Sequence, residues 1–148
     1  MMNMIQNILS KFSLALIDCA TATQLEALDW TQFRGPDRTD VSKEIGLLKQ
    51  WQAGGPPRRW LYQNAGPGYS GFSTSRGKVL TMITRDDMEQ ILALDEQTGQ
   101  ELWVASLSAS FFTEDHGDGP RGTPTIDGDH IYALGSRGTL ICVNFADG

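Results

Sequence analysis

Ile91-Leu92-Ala93-Leu94 is an apolar run short enough to be a buried strand. Asp95 ends it by folding its carboxylate back onto a backbone N–H two residues on, and Gly99 supplies the positive φ of a tight reversal. Gln100 to Ser106 returns as a second strand, with Leu102, Val104 and Leu107 apolar and Trp103 as its large anchor. A fully buried Trp103 would make Trp103→Ala cost on the order of 3–5 kcal/mol. The same pattern extends to both sides. Upstream, a glycine-rich turn over 64–70 leads into a strand near 71–74. Lys78 to Thr84 then pairs with Gln90 to Asp95 around a tip at Arg85-Asp86-Asp87-Met88, and Glu101 to Ser106 completes four strands. Downstream, Thr123 to Ile126 turns at Asp127-Gly128, a favoured hairpin dipeptide. His130 to Leu134 follows, then a turn at Ser136-Arg137-Gly138 and a strand from Thr139 to Asn144.

The pattern repeats. Ile141 to Gly148 aligns with Leu92 to Gly99 at a spacing of 49, and Asp127 to Ile131 aligns with Arg76 to Leu80 at a spacing of 51. A two-residue difference in the intervening hairpin accounts for the change. A period near 50 with strand-turn-strand content is the signature of propeller blades. The expectation is an all-β chain: a partial β-propeller with about one complete blade, parts of two others and an irregular N-terminal segment. Residues 23–57 are the entry segment, with one short helical turn expected over 42–48 between an N-cap at Ser42 and Gly46. Residues 58–148 hold the repeats. Arg58 to Tyr62 reads as an isolated strand that completes a closing blade, its Trp60 equivalent to Trp103.

Composition narrows the function classes. Sixteen glycines in 148 residues suit a turn-rich β protein, and the net charge of −6 argues against nucleic acid or an anionic membrane surface as partner. No apolar run approaches the ~18 residues of a transmembrane helix. Cys19 and Cys142 build no disulfide framework, and Cys142 in the run Leu140 to Val143 reads as a buried structural thiol. Residues 1–22 have a weak secretory pattern: Lys11, the apolar stretch Phe12 to Ile17, and a small-x-small site at Ala20-Thr21-Ala22. Export to the periplasm or outside follows if that signal is used, and a cytoplasmic location if it is not.

Candidate chemistry is sparse. Glu114-Asp115-His116-Gly117-Asp118 is the densest polar cluster, but its spacing does not match a calcium loop, and a solvated connection is the reading favoured. His130 reads as an edge histidine without an acid–base partner. Asp86 and Asp87 read as exposed tip charges, and Gly66-Pro67-Gly68 as a turn. There is no nucleophile elbow, zinc-protease motif or P-loop, so no catalytic, cofactor-binding or metal residue is assigned.

The segment Ala93-Leu94-Asp95 through Thr98-Gly99 to Trp103 resembles the tryptophan-docking motif of PQQ-like (pyrroloquinoline-quinone-like) β-propeller repeats. Trp30 to Arg38 and Gly117 to Pro124 resemble the entry segment and inter-blade connection of the same proteins. The resemblance implies structural roles for Asp95, Thr98, Gly99, Trp103 and Trp60, and places Arg121 toward a central channel. It also implies three functional classes. One is a non-enzymatic binding or scaffold module like the family's outer-membrane assembly proteins, with a protein partner. Another is part of a PQQ-dependent dehydrogenase, the only reading that calls for PQQ and calcium; its relatives commonly carry a disulfide between adjacent cysteines, which this sequence lacks. The third is a remnant without independent activity. Propellers have about 4 to 8 blades, so a ring at this period needs at least roughly 200 residues. The expectation is therefore a fragment of a longer exported protein whose open blade edges favour self-association.

Overall fold

The computed structural model describes residues 28–109 and 117–148, and among these the chain is all-β, with two antiparallel sheets and no helix. The first sheet runs β1 (Ser73–Ser75), β2 (Lys78–Arg85), β3 (Met88–Asp95), β4 (Glu101–Ala109). The second runs β5 (Thr125–Asp127), β6 (His130–Leu134), β7 (Leu140–Asn144). Both are meanders, because each strand is followed by a reversal too short to reach any but the adjacent position. The β2–β3 tip is Asp86-Asp87, and both residues take positive φ, 53° and 56°. That geometry follows the twist of the flanking strands, at the expense of strain in two non-glycine residues.

The sheets pack face to face. Leu80, Met82, Ile91, Ala93 and Leu107 of the first meet Ile126, Ile131 and Ala133 of the second, with Phe145 closing the cluster. Leu80, Ile91 and Ile131 are fully buried, each worth about 1.5–3 kcal/mol. The opposite face of the first sheet, with Ile83, Leu92 and Leu94, is covered by Trp60, Tyr62 and Ala65. Covered on both faces, β3 buries four consecutive residues, Ile91 to Leu94, and reads as an unbroken apolar run. Among the described residues the second sheet is covered on one face only, and β6 alternates exposed and buried along its length.

That difference corrects the expectation for Cys142. Ile141 and Val143 turn toward the core, so Cys142 between them points outward and is exposed. The alignment of the first hairpins is also corrected by one residue. Ser75 pairs with Lys78 around Arg76-Gly77, whereas Asp127 pairs with His130 around Gly128-Asp129. Gly77 and Gly128 therefore occupy different turn positions, and matching glycine to glycine shifts the register by one. In a strand that shift exchanges the two faces: Leu80 corresponds to Tyr132, not to Ile131.

One further expectation fails in the entry segment. Residues 42–48 form no helical turn: Gly46 sits at φ 74°, and Val41, Ile45, Leu47, Leu48 and Trp51 are exposed, with no surface among the described residues to receive an apolar helix face. Residues 58–62 pair with no strand among the described residues, although they lie against the first sheet. The segment is nevertheless anchored at its start. Trp30 exchanges two 2.9 Å backbone hydrogen bonds with Thr74 of β1, and the Thr31 carbonyl accepts one from Ile126 N–H of β5 at 2.8 Å. Residues 30–31 thus bridge the first strands of both sheets. The Trp30 ring lies so close to Gly35 that a Cβ there would meet it at 2.8 Å.

Candidate functional site

The most organised polar structure is the reversal after β3. Asp95 Oδ1 accepts from Thr98 Oγ1 at 2.7 Å, Thr98 N–H at 2.8 Å and Gln97 N–H at 3.1 Å. These bonds hold its carboxyl below the usual carboxylate range, the Thr98 hydroxyl contributing most. Gly99 N–H donates back to the Asp95 carbonyl at 2.8 Å, and Gly99 adopts φ 71°. Trp60 lies flat on that glycine: a Cβ on Gly99 would come within 2.5 Å of its Cδ2. Its indole N–H donates to the Glu96 carbonyl at 2.9 Å, and Arg59 adds a 2.7 Å bond to Gln97 Oε1.

The second reversal repeats this arrangement with substitutions. Asn144 Oδ1 accepts from Ala146 N–H at 2.8 Å, and Gly148 N–H donates to the Asn144 carbonyl at 3.0 Å. Trp103 from β4 lies on Gly148 as Trp60 lies on Gly99, with 3.0 Å from a Cβ there to its Cε3. The polar contact differs. The indole N–H of Trp103 is buried without a partner, and Lys78 Nζ donates to the Phe145 and Ala146 carbonyls at 2.9 Å each. Phe145 occupies the place of Glu96, so Lys78 has taken the carbonyl that the Trp60 pattern gives to the indole. Trp103 is only partly buried, which moves the expected cost of Trp103→Ala below the 3–5 kcal/mol of a fully enclosed ring.

Asp95, Thr98, Gly99 and Trp60 thus converge on one turn, while Trp103 belongs to the next. Sequence reading missed the cations that join the sheets. Arg76 lies 3.8 Å from the centroid of Phe145 and pairs with Asp129 at 2.8 Å; Lys78 reaches the same ring at 4.8 Å. Their position beside the Gly77 turn gave no signal, because their targets lie a whole repeat away. Also missed was the group tying the entry segment to the first sheet. Arg85 donates to Tyr62 Oη at 2.6 Å, to the Asn64 carbonyl at 3.1 Å and to Glu101 at 3.0 Å. Arg85 and then Tyr62 lower the Glu101 carboxyl from its ordinary value. A third was Glu89, fully buried on β3, whose Oε2 accepts from Ser136 N–H at 3.0 Å across the sheet interface.

Between the entry segment and the first sheet lies a cavity of about 450 Å³, lined by Trp60, Tyr62, Phe72, Ile83, Leu92 and Leu94 among others. Its size is that of a small-molecule pocket, but its named walls are almost entirely apolar. Of the acidic cluster, Glu114, Asp115 and His116 lie outside the described residues, and Asp118 is half-buried. Arg121 is exposed, donates to the Gly117 carbonyl at 3.0 Å and lies 5.1 Å from the Tyr69 ring centroid. His130 is exposed at the start of β6, its ring 6.5 Å from that of Tyr132. Asp86 and Asp87 are exposed at their tip.

A comparison with curated proteins and one with solved structures each return no match. A family model does match, the PQQ-like repeat model described as outer membrane protein assembly factor BamB, over residues 40–148. That span takes in both sheets, both docking turns and Trp60. With the repeated turns and stacked sheets, it makes the chain a partial β-propeller that belongs to the PQQ-like repeat family.

Proposed function

We propose that the chain is a non-enzymatic binding or scaffold module, part of an exported protein, that engages a protein partner. The observation that carries this reading is the family match, whose description is that of an assembly factor. The surface supports it. Val41, Ile45, Leu47, Leu48 and Trp51 are each at least 60 % exposed within eleven residues, an apolar concentration of the kind that marks protein contact sites. Export is part of the proposal and rests on the same family description together with the secretory pattern of residues 1–22, which lie outside the described residues.

A photo-crosslinking side chain in place of Trp51, in cells secreting the full chain, should give one discrete adduct. Leu47→Asp with Leu48→Asp should abolish that adduct while leaving the melting temperature unchanged. Titration of the purified chain with PQQ, with and without calcium, should show no saturable binding. Saturable, calcium-dependent PQQ binding would replace the scaffold reading with the dehydrogenase one. An unfractionated cytoplasmic location would refute export.

A further inference from the structure

The entry segment is held at both ends. Residues 30–31 hydrogen-bond Thr74 and Ile126, and at the other end the Trp60 indole lies on Gly99 and donates to the Glu96 carbonyl. Between these anchors its charge changes abruptly. Residues 34–44 hold three cations and three anions, among them the pairs Arg34–Asp40 at 2.6 Å and Lys43–Asp37 at 2.5 Å. From Ile45 to Arg59 there is no Asp or Glu, and the charged residues are Lys49, Arg58 and Arg59, all exposed. Arg59 bonds the neutral amide of Gln97, and Lys49 and Arg58 make no ion pair or hydrogen bond among the described residues. A local surplus of three positive charges thus stands on a chain of net charge −6. The same stretch exposes Ile45, Leu47, Leu48 and Trp51. From Ile45 to Trp51 no backbone group has a hydrogen-bond partner among the described residues.

These features together select the chemistry of the occupant. A bilayer interior cannot satisfy an unpaired backbone, and it receives helices or closed barrels rather than irregular chain. Nucleic acid attracts cations through its phosphates, but a chain of net charge −6 is repelled from it at range. A protein surface can offer hydrogen-bond partners, an apolar groove and carboxylates together. Resting on the scaffold reading above, we infer that residues 45–59 are the partner-binding segment and that the partner presents an acidic groove. Its apolar floor takes Leu47, Leu48 and Trp51, and carboxylates along its edge meet Lys49, Arg58 and Arg59. The charges steer the approach and fix the register, while burial of Trp51 supplies most of the affinity.

The test compares the position-51 photo-adduct of the full chain with and without Lys49→Glu and Arg58→Glu together. Both side chains are exposed and unpaired among the described residues, so the melting temperature should not change. Losing two exposed attractions and gaining two repulsions should lower the adduct yield about tenfold. Lys49→Arg with Arg58→Lys should leave the yield as it was, and Lys49→Gln with Arg58→Gln should fall between. In permeabilised cells the yield from the chain with its own charges should fall as sodium chloride rises from about 0.05 to about 0.5 M. The partner peptide recovered in the adduct should be acidic. A discrete adduct of unchanged yield after charge reversal overturns the inference and leaves the scaffold reading standing. Absence of any adduct before reversal defeats that reading and the inference with it. Sedimentation of the purified chain with phosphatidylglycerol vesicles but not phosphatidylcholine vesicles, lost on charge reversal, also overturns the inference, because the occupant is then a lipid surface.

Discussion

Gly99→Ala separates backbone strain from docking. At φ 71° an alanine costs about 1 kcal/mol net, the left-handed penalty less the lower entropy of its unfolded chain. Its Cβ would also lie 2.5 Å from Trp60 Cδ2 and 2.6 Å from Cε3, closer than any real contact, so the indole must leave the turn. Displacement breaks the 2.9 Å bond to the Glu96 carbonyl, worth about 1 kcal/mol. It also re-exposes part of a half-buried ring; at about 25 cal/mol per Å², roughly 80 Å² adds about 2 kcal/mol. The total is about 4 kcal/mol. Gly77→Ala is the matched control, with φ 76° but nothing within 4 Å of the added Cβ, and should cost about 1 kcal/mol. Urea unfolding followed by tryptophan fluorescence measures both. In a Trp60→Leu background the cost of Gly99→Ala should fall toward that of Gly77→Ala, since the pair interacts directly. Equal costs for the two glycines in the unaltered background would refute the docking argument.

Replacing Asp86-Asp87 by Asn-Gly relieves two strained positive-φ residues at an exposed tip and should raise stability by about 1 kcal/mol; a lower urea midpoint would contradict it. Asp95 has a depressed carboxyl in the folded state, so its contribution is present above the unfolded value near 3.8 and is lost as pH falls through the lower folded value. Asp95→Asn should therefore flatten the acid limb of the stability curve below about pH 4, and an unchanged limb would remove the Asp95 turn from the explanation. Glu89→Gln keeps an acceptor for Ser136 N–H at a fully buried site, one of whose carboxyl oxygens has no partner among the described residues. The melting temperature should stay level or rise; a large fall would mean that the carboxyl itself is required. Trp103→Ala should cost about 2–3 kcal/mol, since the ring is partly exposed and its N–H is already unpaired.

The local chemistry of this fold is legible along the chain. Asp95, Thr98 and Gly99 are short-range turn residues whose hydrogen bonds close within five positions, so their types at that spacing dictate the reversal wherever it sits. The strands follow from the same locality: each apolar run lies between such turns. What failed did so for lack of tertiary context. Ile141-Cys142-Val143 looks as buried as Leu92-Ala93-Leu94, but burial of both faces depends on a second packed layer, which the first sheet has and the second lacks among the described residues. Matching Gly77 to Gly128 is reasonable from residue type, yet strand pairing places them at different turn positions and exchanges the faces. Ser42 to Leu48 carries a plausible cap and apolar residues, but a helix of that length is held by packing, and no partner surface lies there among the described residues.

The sequence by itself determined the all-β class, the reversals and the repeat period, because each rests on contacts between near neighbours or on an internal copy of the same pattern. Only the tertiary structure decided which face of each strand is covered, which tryptophan meets which turn, and that Arg76, Lys78, Glu89 and Arg85 join elements of distant sequence. Those depend on packing across the sheets. A charge beside a turn looks the same in sequence whether it faces water or an aromatic ring from the next repeat.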